Sequence, residues 1–408
     1  MDDKNFIGKK RNMKNDDNND ENNSNYVNNN EDTSNSTQNS NQDTLEKNNL
    51  IKDIKFYNEP MILNEHSHWV NKILILKSLP KNNLISASAD GKIIVYDDYP
   101  SFKPVLNFVL FGTGVTYLTE LKNGSMICSS FGAFKQILIN FNNLKNEYTY
   151  EQINYITICT TYIMKCIELN NNDLLFISQQ DSIIILEKLK NNDIQKNNET
   201  NKITDKFHLK SPIKLLRYEI SINIVQLKDD LYLSGSLTDI KYNLIVRNSK
   251  KVNVNCINFY DENFNVIHKI KNMYLTKSEE NIIKLNEKFV IIGVELCLNG
   301  VNWNNYYGIS VINYLKFEIV SFYQVENQIS SISLNENFIY IGDNKGYIKK
   351  YEIEDKDIIL RKSKRIHFYN INTICYKNVF DKDLNQNIFI LFTGSNDNKI
   401  KISSFFTN

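Results

Sequence analysis

The chain has 408 residues, and its 48 basic and 47 acidic side chains leave a formal net charge of +1. That length suffices for one large or two medium domains, and the balanced charge excludes a polycation suited to nucleic acid. The six cysteines include no C-x2-C pair, which is typical of buried thiols in a reducing compartment rather than of disulfides or a zinc site.

The first residues lack the apolar core of a signal peptide. No uninterrupted apolar run approaches the roughly 18 residues of a membrane-spanning helix. The sequence therefore predicts an intracellular, cytoplasmic protein that is neither secreted nor membrane-spanning. The cluster Lys9-Lys10-Arg11 leaves a nuclear location open, although a solvated charge cluster is the simpler explanation.

Residues 1–50 are rich in Asn, Asp, Ser and Glu and carry almost no large apolar side chains. Such a segment cannot bury enough surface to offset the chain entropy lost on folding, so a disordered tail is predicted. Residues 51–408 contain short β-rich runs between Asn, Asp and Gly turns, which predicts one all-β domain.

The clearest repeating unit is residues 84–97, LISASADGKIIVYD. Two apolar, β-branched runs flank Asp90 and Gly91 in this unit. Asp90 can hydrogen-bond its own backbone and glycine takes positive φ without a clash, so a tight turn between antiparallel strands is predicted. Upstream, His66 lies four residues before Val70, which opens another strand-like run.

Two other stretches align with this unit without a gap. Residues 391–404 follow His367 and place Asp397 at the turn-aspartate position. Residues 339–352 place Lys345 there, so a different side-chain network is expected at that turn. Weaker copies fill the interval and give seven units of about 51 residues over 51–408.

The order His-x3-Val, then Leu-x-Ser-x-Ser-x-Asp-Gly-x-Ile, then Tyr-Asp resembles the WD-repeat family of β-propellers. Tyr96-Asp97 stands where the family has Trp-Asp. The resemblance implies a seven-bladed propeller, with eight blades as the alternative, closed when residues 51–57 pair with the last strand. It also implies a structural hydrogen-bond network in the first and last blades, formed by His66, Ser86, Asp90, Tyr96, His367, Thr393 and Asp397.

A His-Ser-Asp set also invites a hydrolase interpretation, because these residue types form catalytic triads. The aspartate lies in a blade turn, the set recurs in two units, and no G-x-S-x-G elbow is present. We therefore expect no enzyme activity, catalytic residue, cofactor or small-molecule substrate. No metal is expected either, because His66 and His68 lack an acidic or cysteine partner at ligand spacing.

Two insertions interrupt the repeat, at 237–254 in the fourth unit and 295–307 in the fifth. The resemblance places such loops, and those that enter each blade, on the usual partner-binding face. Trp, Tyr and Arg are enriched in interface hot spots, so a protein-binding scaffold or adaptor within a multiprotein complex is predicted. That these side chains only cover one another stays open. The candidate partner-binding residues are Trp69, Tyr242, Arg247, Lys250, Lys251, Trp303, Tyr306 and Tyr307.

The strongest basic run supports an alternative function, a peripheral membrane effector that binds anionic phosphoinositide lipids. Propellers that bind these lipids carry a Phe-Arg-Arg-Gly motif, and this chain has no Arg-Arg pair. A charged outer strand edge explains the run without a ligand. The candidate phosphate- or lipid-binding residues are Arg361, Lys362, Lys364 and Arg365.

Overall fold

A computed structural model describes most of the chain after residue 59. The described residues are 60–178, 182–188, 207–209, 213–214, 221–236, 256–271, 273–275, 281–296, 306–354, 357–382 and 385–406. They form an all-β propeller, in which small antiparallel sheets are arranged around a ring. No helix among them is long and apolar enough to cross a bilayer. The predicted tail, 1–50, lies outside the described residues.

The strands alternate with short turns along the chain. In the first half they are β1 Met61–Leu63, β2 Val70–Ile75, β3 Leu84–Ser88, β4 Lys92–Tyr96, β5 Pro104–Val109, β6 Tyr117–Glu120, β7 Met126–Ser129, β8 Phe131–Asn142, β9 Glu147–Glu168, β10 Leu174–Ser178, β11 Ser182–Lys188, β12 Phe207–Leu209 and β13 Ile213–Lys214. In the second half they are β14 Ser221–Lys228, β15 Leu231–Ser236, β16 Cys256–Tyr260, β17 Val266–Lys271, β18 Met273–Leu275, β19 Ile282–Lys284, β20 Phe289–Leu296, β21 Tyr306–Asn313, β22 Glu318–Val325, β23 Ile329–Asn335, β24 Phe338–Asp343, β25 Tyr347–Glu354, β26 Asp357–Arg365, β27 Ile371–Asp381, β28 Gln386–Ser395 and β29 Ile400–Phe406.

These strands pair into six sheets, which are the blades of the described ring. The first blade is β2–β5 and the last is β27–β28–β29–β1. Between them lie an eight-stranded blade, β6–β13, and the blades β14–β17, β18–β22 and β23–β26. The prediction of seven blades is therefore wrong, and the alternative of eight is not found among the described strands.

The blade count differs because β9 does not stop where a blade boundary was expected. This strand has 22 residues; its N-terminal part pairs with β8, and its C-terminal part pairs with β10. Its sequence contains no Gly or Pro and is rich in β-branched and aromatic residues, so nothing ends the strand. The second and third predicted units consequently join in one eight-stranded blade.

The ring closes when an N-terminal strand completes the last blade. β1 pairs antiparallel with β29, with Met61 opposite Ile402 and Leu63 opposite Ile400. The predicted closing strand, 51–57, lies outside the described residues, and the outer position beside β29 belongs to Met61–Leu63 instead. This pairing covers the free edge of β29.

One hydrogen bond recurs where neighbouring blades meet around the ring. A polar side chain near the start of an innermost strand donates to the backbone carbonyl of a buried, β-branched residue at the matching place in the next blade. A bond of the same kind, Thr116 Oγ1 to Ile163 O (2.6 Å), lies within the eight-stranded blade, between β6 and β9. The bonds between blades are Asn71 Nδ2 to Val115 O (2.7 Å), Ser330 Oγ to Ile371 O (2.7 Å) and Asn372 Nδ2 to Val70 O (2.9 Å). The last of them joins the end of the chain to its beginning.

The β-branched residues at these junctions need space in the second strand of the preceding blade. A Cβ added to Gly394 would lie 2.6 Å from Val70 Cγ1, and one added to Gly342 would lie 2.7 Å from Ile371 Cγ2. The repeat places the small residue Ala87 at the matching position in the first blade. A small residue here lets adjacent blades pack closely.

We expect Gly394→Ala to destabilise the fold by about 1–3 kcal/mol, because the new methyl group overpacks the junction against Val70. The measurement is the urea midpoint of unfolding. Gly112→Ala is the matched control, since a Cβ there meets nothing within 4 Å. Adding Gly394→Ala to a Val70→Ala background should cost less than adding it to the wild type. Equal costs in both backgrounds would show that the junction is not tightly packed.

Candidate functional site

In the first blade, the loop before β2 is bonded to the turn between β3 and β4. His66 Nδ1 lies 3.0 Å from Asp90 Oδ2, and His66 Nε2 lies 2.7 Å from Ser86 Oγ. Asp90 also accepts hydrogen bonds from the backbone N–H groups of Ser67 and Lys92, both at 2.9 Å. Although burial alone would raise the pKa of Asp90, these hydrogen bonds lower it well below its ordinary value.

Tyr96 lies at the buried end of the same blade. Its side chain is fully buried, and its hydroxyl is 3.5 Å from Glu65 Oε2. Burial raises the pKa of Tyr96, while a hydrogen bond with Ser86 opposes that shift. The structure thus brings all four first-blade residues of the sequence-predicted network into one buried group.

The last blade repeats this arrangement with a threonine in place of the serine. His367 Nδ1 lies 2.9 Å from Asp397 Oδ2, and His367 Nε2 lies 2.8 Å from Thr393 Oγ1. Burial lowers the pKa of His367, so the neutral ring donates its Nδ1–H to the carboxylate. Burial would raise the pKa of Asp397, but the hydrogen bonds from His367, Phe368 N and Lys399 N together lower it.

The third copy uses a different acceptor, as the lysine at its turn position requires. Asp343 lies two residues before Lys345 and accepts the backbone N–H groups of Lys345 and Tyr347, both at 2.9 Å. Asn327 Nδ2 donates to the same carboxylate at 2.8 Å and takes the place of the histidine. Asp343 was not among the predicted residues, although its position two residues before Lys345 was a signal in the sequence.

The exposed face above these networks carries several large aromatic side chains. The fractional exposure is 69% for Phe368, 62% for Tyr369 and 49% for Trp69, and Phe131 and Tyr162 are exposed as well. All five lie at the end of the ring where the chain enters the innermost strands, which we call the entry face. We call these five residues the aromatic rim.

The loops that carry the aromatic rim contact one another in sequence around the ring. Asn398 Nδ2 in the last blade donates to Ser67 O, in the loop that carries Trp69, at 3.4 Å. Trp69 O accepts Ala89 N of the next turn at 2.9 Å, and Ser88 O beside that turn accepts Val115 N at 2.8 Å. Thr113 Oγ1 lies 2.9 Å from Ser130 Oγ, directly before Phe131. The Phe131 and Tyr162 rings then meet edge to face, 5.0 Å between centroids. The rim is therefore one connected stretch.

Of the predicted partner-binding residues, three lie in the described part of the chain. Trp69 belongs to the aromatic rim, and its ring packs edge to face against His68 at 5.0 Å. Tyr306 and Tyr307 begin β21 and are half-buried, with Tyr307 packed against a core cluster. The others, Tyr242, Arg247, Lys250, Lys251 and Trp303, lie outside the described residues. The first predicted insertion, 237–254, also lies outside the described residues. Of the second, 295–296 belong to β20 and 306–307 to β21, and the rest lies outside the described residues.

The predicted basic cluster lies on the outer strand β26, and its two arginines bind different partners. Arg361 Nε donates to Glu352 Oε2 at 2.6 Å, and Arg361 also pairs with Glu354. Arg365 Nε donates to the carbonyl of Lys345 at 3.2 Å, and its Nη2 donates to Phe368 O at 3.2 Å. Between them, Lys362 lies opposite Lys350 and Lys364 opposite Ile348. The arginines do not converge on one phosphate-sized site.

Four of the five aromatic rim residues were not predicted from the sequence: Phe131, Tyr162, Phe368 and Tyr369. A signal was present for one of them. Tyr162 directly precedes Ile163, just as Trp69 directly precedes Val70. Trp69 and Tyr162 are both exposed, although the residue that follows each of them is fully buried. Within the described residues, no cluster of His, Cys, Asp and Glu could hold a metal ion.

Comparison with known proteins supports the fold alone. No protein-family model matches the chain, and no curated protein matches it. Among 1189 matching chains of solved structures is that of Saccharomyces cerevisiae Sqt1, with a TM-score of 0.55 and 10% sequence identity. The similarity covers 86% of this chain and 99% of that chain. At this identity the likeness shows a β-propeller and nothing about activity or partners.

We expect the buried histidine to make stability depend on pH. The folded-state pKa of His367 lies below its ordinary 6.5, so its contribution is full above pH 6.5 and is lost as pH falls. His367→Asn should flatten the decline of the urea midpoint between about pH 7.5 and 5.0. Asp397 does not contribute in that window, because its pKa is lowered from 3.8.

The control for this prediction is His68→Asn, which removes an exposed histidine from a neighbouring entry loop. It should leave the pH dependence of the midpoint as in the wild type. An unchanged slope in His367→Asn would show that another group titrates on unfolding in this range.

Proposed function

We propose that this protein is a non-catalytic scaffold or adaptor of the WD-repeat type, which binds a protein partner through the aromatic rim. The observation that carries the proposal is the exposure of Phe368, Tyr369 and Trp69 on connected loops of one face. Large apolar side chains concentrated on a surface mark interaction sites, and aromatic residues are the commonest anchors of interfaces.

The rim has the rigidity that favours partner binding. Asp397 accepts Phe368 N at 3.4 Å, and Ser395 Oγ donates to Tyr369 O at 3.4 Å. Trp69 is held by the backbone bond to Ala89 N. Anchors that are already fixed lose less conformational entropy when a partner binds.

The non-catalytic part of the proposal is supported by the burial of the His-Ser-Asp and His-Thr-Asp groups. His66 and His367 are buried, and both ring nitrogens of each are hydrogen-bonded within the fold. A substrate on the entry face would not reach the Ser86 or Thr393 hydroxyl oxygen, which lies behind the imidazole ring of the histidine. These residues connect loop to turn, and their role is structural. We further propose that the protein acts inside the cell, within a multiprotein complex, without a cofactor.

The anionic-lipid alternative has weaker support. Arg361 forms ion pairs with Glu352 and Glu354, which offset its charge on the outer strand. Arg365 donates to backbone carbonyls of the entry face instead of joining Arg361. The two arginines thus act in different places, and no described observation favours a headgroup site on β26.

The rim should be tested by a triple variant, Trp69→Ala/Phe368→Ala/Tyr369→Ala, in affinity purification from the native cell. We expect recovery of the specific partner to fall by at least about tenfold, because the anchors are removed. The thermal midpoint should change little, since these side chains are exposed.

Leu144→Ala is the matched control, since Leu144 is 99% exposed in the turn between β8 and β9. That turn lies at the opposite end of the ring from the entry face. A photo-crosslinking residue at position 69 or 368 should capture the partner, and one at 144 should not. Equal capture at 144, or undiminished recovery with the triple variant, would remove the rim as the binding site.

A further inference from the structure

Phe368 lies between two cations on the entry face. Its ring centroid is 6.0 Å from the Arg365 guanidinium carbon and 6.0 Å from Lys401 Nζ. The ring is nevertheless 69% exposed, so these cations border it without covering it. A partner side chain can therefore contact the aromatic surface and a positive charge together.

Arg365 fixes this arrangement by bonding to two adjacent loops. Its Nε donates to the carbonyls of Lys345 at 3.2 Å and His367 at 3.3 Å, and its Nη2 donates to Phe368 O at 3.2 Å. A Cβ on Gly346 would lie 2.1 Å from His367 O, so the turn and the loop are in close contact. Arg365 therefore connects the turn that carries Lys345 with the loop that carries Phe368.

Positive charge dominates this part of the entry face. Lys345 and Arg365 are exposed, Lys399 is half-exposed in the next turn, and Lys401 lies beneath. Burial, with a smaller contribution from the charge of Lys399, lowers the pKa of Lys401 against the opposing charge of Asp397.

Two of the nearby carboxylates, Asp343 and Asp397, are engaged inside the fold. Asp343 is buried and accepts backbone N–H groups and Asn327. Asp397 is engaged by His367 and by backbone N–H groups. The exposed Glu326 side chain lies 3.7 Å from the buried Lys349 ammonium. Asp343 and Asp397 are thus bound within the fold, whereas Glu326 is exposed. Lys401 is buried, so the outward-facing cations are Lys345, Arg365 and, in part, Lys399.

We propose that the surface formed by Lys345, Arg365, Phe368, Tyr369 and Lys399, the cationic aromatic patch, binds an acidic protein segment with a large apolar side chain. The carboxylates of that segment would face the cations while the apolar side chain packs on Phe368 and Tyr369. This inference rests on the proposed function and adds the chemistry of the partner. Complementary charge would set orientation and association rate, and the aromatic contact would supply most of the affinity.

The arrangement fits an extended acidic peptide better than a single phosphate group. Phosphate is bound by donors that converge on one point, often through the planar fork of an arginine. Here the Arg365 donors Nε and Nη2 are directed to backbone carbonyls, and the cations come from separate segments around the ring of Phe368. Spaced carboxylates along a chain match spaced cations.

The test uses the full chain and fluorescently labelled synthetic peptides. One peptide is glutamate-rich with a central phenylalanine, a second replaces that phenylalanine with alanine, and a third replaces each glutamate with lysine. Fluorescence anisotropy measures binding at low and high salt. We expect the first peptide to bind, to weaken with salt, and to bind at least about tenfold more tightly than the other two.

Charge reversal locates the site. Lys345→Glu/Lys399→Glu and Phe368→Ala should each weaken binding of the first peptide by at least about tenfold. Lys145→Glu/Lys316→Glu, a matched reversal in exposed turns at the opposite end of the ring, should leave it unchanged. The first peptide's failure to bind at about 1 mM, or equal binding by the wild type and Lys345→Glu/Lys399→Glu, would overturn the proposal.

The same variants separate this inference from the function on which it rests. If the triple aromatic variant loses the cellular partner while Lys345→Glu/Lys399→Glu retains it fully, the scaffold proposal stands and the acidic-segment proposal fails. If neither variant affects that partner, the proposed function fails first. Binding to phosphatidylserine vesicles without binding to the acidic peptide would also overturn the inference and assign the patch to a membrane surface.

Discussion

The hydrogen bond between neighbouring innermost strands is the interaction on which the ring depends. Each blade is a single sheet that cannot bury both of its faces alone, so it must pack against two neighbours. The bonds from Asn71, Ser330 and Asn372 align one blade with the next, and Thr116 makes the equivalent bond between β6 and β9 within the eight-stranded blade. Asn372 in the last blade donates to Val70 O in the first blade. The ring therefore closes through the same kind of contact that joins other neighbouring blades.

The second constraint couples each entry loop to the adjacent turn. His66 and His367 connect loop to turn through an aspartate, and Asp343 achieves the same in a copy without the histidine. In all three copies a buried carboxylate satisfies backbone N–H groups that would otherwise lack a partner. Side-chain identity varies between copies, but an acceptor for the turn is retained. The entry loops are held in place by these hydrogen bonds to the turns.

The propeller fold could be predicted from the sequence because the residues of the repeat have strong local structural preferences. Asp90 and Gly91 form a turn, β-branched runs form strands, and small residues such as Gly394 leave room for a neighbouring blade. The six-sheet arrangement was not predicted, because β9 continues through an expected blade boundary. It does so because its sequence contains no turn residue, and the absence of a residue is a weak signal. The closing strand was misplaced by a few residues for a similar reason. Residues 51–57 mix apolar and charged side chains and Met61–Leu63 is only three residues long, so neither sequence by itself identifies the strand that pairs with β29.

The exposed residues of the candidate site were hardest to predict, because the positions that recur from one copy of the repeat to the next are the buried ones. Val70 and Ile163 are fully buried, while Trp69 and Tyr162, one position earlier, are exposed. A single step along the backbone therefore separates a residue fixed by packing from one that faces solvent. Changes at the second kind of position leave the junction bonds and the turn acceptors intact. A propeller can for this reason change its exposed residues without changing the packing of its ring. The aromatic rim consists of such exposed residues.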